Sequence, residues 1–200
     1  MMTRRSVMAM GAAGLAGGVL LGGGLGQGTA EVLAQEGTAT PVENVTTDGI
    51  GGGGTVSTGY GDATFALTAF ALPGVDGQPV FNGGFTLSDP QHPDEPIAMV
   101  AQFFNQITAF STAQPYAREI VGWATVNERG PYPFVLQVED IGPAGSGQDT
   151  FNLVFGNDAL PFIHTDAKKC DCGGFTYTLR GTVAQGDLVR FPITTANAGQ

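Results

Sequence analysis

Between Arg118 and Phe155 the chain runs REIVGWATVNERGPYPFVLQVEDIGPAGSGQDTFNLVF, and this stretch leaves few folds open. Ile120, Gly122, Ala124 and Val126 alternate with Val121, Trp123 and Thr125. After a Gly-Pro break, Phe134, Leu136 and Val138 alternate with Val135, Gln137 and Glu139, and later Thr150, Asn152 and Val154 alternate with Phe151, Leu153 and Phe155. Successive side chains of an extended chain point to opposite faces, so a period of two over roughly four to eight β-branched and aromatic residues predicts a half-buried strand. Asn127-Glu128-Arg129-Gly130-Pro131 supplies an Asn, a Gly suited to positive φ and a Pro of fixed φ, which predicts a hairpin turn. Gly142 to Gly147 reads as a longer loop. The class is antiparallel β.

The flanks extend that pattern. DATFALTAFAL at 62–72 alternates and ends in a turn at Pro73 to Gly77, and Pro79 to Leu87 reads as the next strand. SDPQHPDEP, residues 88–96, holds three prolines and three acids around His92; such Pro density suits neither helix nor central strand and predicts an exposed loop. Ile97 to Phe110 reads as one long bent strand with Met99, Phe103, Phe104 and Phe110 as core candidates, although Val100, Phe103 and Phe104 also fit helical spacing. Leu160 to Ile163 reads as a short edge strand. Phe175 to Val183 and Leu188 to Ile193 read as two strands joined by a tight hairpin at Gln185-Gly186-Asp187. Gly51 to Gly54 lacks the Lys and helix of a phosphate loop, and a glycine-rich edge or bulge is expected there.

Composition agrees with this class and narrows function. Gly supplies 32 of 200 residues and charged residues only 13%, which suits short strands and turns. A formal charge of −10 with only eight scattered Lys and Arg argues against nucleic acid and anionic lipid as partners.

The first residues describe a leader. Arg4-Arg5 precedes an uncharged, Gly-interrupted run that continues until Glu31, and Val32-Leu33-Ala34 offers cleavage after Ala34. A basic start, a soft apolar run and a small-residue site make a signal peptide, and the twin arginine points to the Tat route. The competing reading is an uncleaved anchor, since Val7 to Leu25 approaches the ~20 residues that cross a bilayer. The organisation expected is a signal peptide at 1–34, a flexible linker at 35–49, a β domain at 50–193 and a frayed tail at 194–200. Membrane contact is expected only through the leader during export.

GGGGTVSTGYGDATFALTAF at 51–70, GWATVNERGPYPFVLQVED at 122–140 and the Gly-rich loop leading to DTFNLVF at 149–155 resemble the post-COAP domain of exported bacterial proteins. The resemblance covers roughly residues 50 to 190 and departs from the family pattern at Glu128-Arg129 and between Leu160 and Cys172. It implies a β-sandwich and an extracytoplasmic location, and it carries over no catalytic residue.

Three groups of residues invite chemistry. His164, Asp166, Cys170 and Cys172 are potential ligands for zinc or copper, because two Cys at i and i+2 on a strand share a face. Against this stands a Cys170–Cys172 disulfide, the reading favoured for an exported chain, and free or intermolecular thiols. Asp140, Asp149 and the loop between them could ligate calcium, yet acids beside Gly and Pro mostly make turn hydrogen bonds. Catalysis finds little support: there is no G-x-S-x-G, Ser146 sits in a Gly loop, and the only histidines, His92 and His164, fall on expected loops. Trp123 is expected in the core, with a sugar-stacking platform as the other reading.

The sequence thus predicts one antiparallel β-sandwich of about eight strands behind a signal peptide. It points to a non-catalytic, cofactor-free structural or binding module whose partner is another exported protein or a surface polymer. The alternative is a small metal-binding or redox-active protein using the 164–172 cluster.

Overall fold

The computed structural model describes residues 44–74, 78–111, 114–163 and 172–196. Eight strands follow one another: β1 (Asn44–Ser57), β2 (Asp62–Pro73), β3 (Pro79–Asp89), β4 (Ile97–Ser111), β5 (Gln114–Val126), β6 (Arg129–Glu139), β7 (Thr150–Gly156) and β8 (Thr176–Ala196). Each pairs antiparallel with its neighbour in sequence, and β8 returns to pair with β1. The antiparallel all-β class is as expected. The sandwich is replaced by a single sheet closed into a barrel, in which opposite walls play the part of two sheets.

Alternation explains the walls. Along β2 the inward set is Ala63, Phe65, Leu67 and Ala69, while the residues between them face out. Phe65, Phe85, Phe134 and Phe151 meet across the interior, with Phe65 and Phe151 ring centroids 4.6 Å apart. Leu136, Leu153, Ile120 and Phe155 complete a packed interior. In a barrel of this size the inward side chains fill the lumen.

Five expectations are corrected. The linker was expected to reach residue 49, but β1 starts at Asn44 and pairs along its length with β8. Leu160 to Ile163 is no edge strand: Gly156 turns the chain at φ 77° and Asn157–Phe162 forms a 3-10 helix. There Ala159 and Ile163 pack outside the barrel on Val121 and Val135. Gln185-Gly186-Asp187 makes no hairpin, since β8 runs through it, and the expected tail begins inside that strand. The glycine run of β1 sits between two strands rather than at an edge. A Cβ on Gly52 or Gly54 would collide with the carbonyl oxygens of Asp187 or Gln185 in β8, so these glycines permit the close approach that seals the barrel. The register shift falls past the glycine run, between Thr55 and Val56, where Ala184 of β8 is the extra residue.

The two mouths are built differently. At the mouth holding the β2–β3, β4–β5 and β6–β7 connections, the buried Arg118 donates to Asp48, which also accepts from Arg190, at 2.8 and 2.7 Å. Arg118 is held below the ordinary guanidinium value by burial first and by Arg190 second, with Asp48 opposing both. At the other mouth lie the β1–β2 turn, the β3–β4 loop, the β5–β6 turn and the start of β8.

Candidate functional site

The second mouth brings a carboxyl, a phenol and an imidazole to one crevice. β3 ends with Phe85, Leu87 and Asp89 on its inward face, so the strand's own parity carries a carboxyl to the rim of the core, where Asp89 is only 1% exposed. Tyr177, second residue of β8 and also inward, donates its hydroxyl to Asp89 Oδ2 at 3.1 Å. Burial, then the charge of Asp89, then that hydrogen bond raise the Tyr177 phenol far above its ordinary value. It therefore serves as a hydrogen-bond donor and stays protonated.

The loop after β3 brings His92 over this pair. Its ring lies 5.5 Å from Tyr177 and 6.5 Å, edge-on, from Tyr60 of the β1–β2 turn. That turn is shaped by Thr58, whose Oγ1 accepts the amides of Tyr60 and Gly61. The other end of the loop is held by Asn127. Its Oδ1 accepts the Ala98 amide, its Nδ2 donates to the Pro96 carbonyl and its own amide donates to the Ala98 carbonyl. Asn127 and Glu128 both take positive φ, 49° and 65°, in the two-residue turn between β5 and β6. Arg129 adds an exposed ion pair to Glu95.

These elements enclose a crevice of about 420 Å³ lined by Ser57, Tyr60, Asp89, His92, Tyr177 and Arg180 among others. Two further recesses continue around the rim, one sharing His92 and Thr176 with the crevice, the next sharing Gly174 and Phe175 with its neighbour. Asp89 Oδ1 and His92 Nδ1 are shut off from solvent and have no hydrogen-bond partner among the described residues. Buried polar atoms are nearly always paired, because leaving one unpaired costs on the order of 1–3 kcal/mol. Of the six such atoms among the described residues, these two border the crevice, where a ligand's donors and acceptors could meet them.

Comparison with family models, curated proteins and solved structures returns no match for this chain. The site must speak through its own chemistry.

The residues singled out in the sequence fall elsewhere. Asp149 is buried at the opposite mouth, where Oδ1 accepts the amides of Ile141 and Gly142 and Oδ2 accepts that of Leu188 at 2.9 Å. Asp140 Oδ2 accepts the Arg190 amide. These are turn and strand hydrogen bonds, and among the described residues no three His, Cys, Asp or Glu side chains converge as a metal cage would. Cys172 is buried and disulfide-bonded, so its sulfur has no thiolate to give a metal. His164, Asp166 and Cys170 lie outside the described residues, as do Arg4, Arg5 and Ala34 of the leader. Trp123 is half-buried on the outer wall opposite Phe103 instead of in the core, and Phe103 is 51% exposed. Met99 and Phe104 are core residues as expected. Sequence reasoning missed Asp89 and His92 by reading residues 88–96 as an exposed loop, and Tyr177 by reading it only as part of the Phe175–Val183 strand. The signal was there: Asp89 continues the inward set Phe85, Leu87, and Tyr177 alternates with the buried Leu179.

Proposed function

We propose that this protein is an exported, non-catalytic binding module whose ligand site is the crevice over Asp89, His92 and Tyr177. The observation that carries this reading is the pair of unpartnered buried atoms, Asp89 Oδ1 and His92 Nδ1, at the lining of a crevice large enough for a small ligand or a short chain segment. Tyr60 and the hydroxyl-bearing rim supply a ring face and further hydrogen-bonding groups, the mixture that fixes a polar ligand by geometry. The leader sequence and the resemblance to the post-COAP domain support export and a binding role outside the cytoplasm. Catalysis receives no comparable support: the Tyr177 phenol holds its proton too tightly for a general base, and Asp89 is already engaged by it.

The test is thermal stabilisation of wild-type protein and Thr178→Trp by polyols, monosaccharides, alkylamines and short peptides. Thr178 is exposed on the crevice wall, so the bulky ring fills the site without entering the core. At least one ligand class raises the Tm of wild type and leaves the variant unmoved. Equal response of both proteins to every class would end this reading.

A further inference from the structure

β8 is longer than either neighbour and staggered between them. Thr176 to Thr182 pair with β7, whereas pairing with β1 begins only at Val183, opposite Val56. From Thr176 to Arg180 one edge of β8 therefore has no strand beside it, Ser57 of β1 still lying against Gly181, and the half beyond Val183 has an edge that β7 does not reach. Around Leu188 and Arg190 that edge is dressed: the Leu188 amide donates to Asp149, the Arg190 amide to Asp140 and the Val183 amide to the Asp149 carbonyl. Along Thr176 to Arg180 no such substitute appears among the described residues, and Ser57 to Tyr60 line the opposite side of the crevice. An uncapped strand edge is a row of donors and acceptors ready to pair with another chain, and folded proteins usually cover it.

We infer that the crevice takes an extended peptide, which adds as a strand to the Thr176–Arg180 edge of β8. This rests on the binding reading above and names its ligand class. Main-chain hydrogen bonds along the edge supply affinity, and alternate side chains of the peptide supply specificity. Arg180 lines the crevice, is exposed and has no carboxylate partner among the described residues, so it selects an acidic side chain on the bound strand. The partner is a segment of another protein, extended and carrying Asp or Glu.

The experiment is a titration of isotope-labelled protein, read by amide shifts and hydrogen exchange, with the end-blocked peptide Thr-Val-Glu-Val-Thr. Controls are the same peptide with its backbone nitrogens methylated, and methylamine and glycerol as small polar probes. The peptide shifts and slows alternate amides within Thr176–Arg180, the methylated peptide does not, and Arg180→Glu weakens binding by roughly tenfold or more, the scale of a charge-assisted hydrogen bond. Shifts at Tyr60, His92 and Tyr177 with a small probe but none with the peptide would overturn strand addition and leave the binding reading standing. No response to any probe would overturn both. Amides of Thr176–Arg180 already slow in the free protein, and unmoved by the peptide, would show the edge covered by the chain itself and also overturn the proposal.

Discussion

Asp89 and Tyr177 show how a single position can combine strand pattern with site chemistry. Replacing Tyr177 by Phe keeps the ring in the core and removes the donor to Asp89 Oδ2, leaving a buried carboxyl with neither oxygen partnered among the described residues. Tyr177→Phe should cost about 1–3 kcal/mol in denaturant unfolding, well above the loss expected at an exposed tyrosine such as Tyr60. The raised phenol has a sign that can be checked. A group whose folded pKa lies above its unfolded value stabilises the fold fully below the unfolded value, and that stability is lost as pH climbs toward the folded one. In an alkaline titration followed by phenolate absorbance, one of the four tyrosines should ionise only as the protein unfolds, and Tyr177→Phe should abolish that late step. A second residue-scale test lies in the β5–β6 turn. Glu128 sits at φ 65°, a region glycine enters freely, so Glu128→Gly should raise stability by about 0.5–1 kcal/mol. Asn127 was legible as a turn residue, but its grip on Pro96 and Ala98 was not, because the register of β4 against β5 is set by distant core residues.

At the scale of the element, β1 and β8 carry the closure. A methyl on Gly52 would strike the Asp187 carbonyl, and the φ of 147° there is costly for an L side chain, so Gly52→Ala should destabilise by about 1–3 kcal/mol. The same region holds a charge problem. Burial, then Asp149, then Asp140 raise the pKa of Asp187. A carboxyl raised in the folded state weakens the fold once ionised, so the penalty is absent below its unfolded pKa and complete above its folded one. Asp187→Asn should therefore raise Tm at neutral pH, with the gain vanishing as pH falls below the ordinary carboxylate range. A gain independent of pH in thermal scans would refute this cause. The strands from β2 to β7 were legible because one face is apolar and the other polar. The Gln185-Gly186-Asp187 stretch misled because Gly and Asp usually signal a turn, while here Gly186 gives β1 room to approach and Asp187 lines the seam.

For the whole molecule, alternation reports that one face of each strand is buried, and it is equally satisfied by two stacked sheets or by one closed sheet. What decides between them is whether the last strand meets the first, a contact between Asn44 and Ala196 that no local window contains. Closure also explains why the mouths differ. One is tied by Asp48 between Arg118 and Arg190, and the other is left with a crevice and half of a strand edge. The account stands on that asymmetry along β8. Native-state hydrogen exchange, resolved by residue on the free protein, measures it directly. The amides of Leu188 and Arg190, capped by Asp149 and Asp140, should exchange as slowly as the barrel core, while alternate amides between Thr176 and Arg180 exchange orders of magnitude faster. Uniform protection along the whole of β8 would mean that no edge is open, and the site proposed here would have no strand to offer.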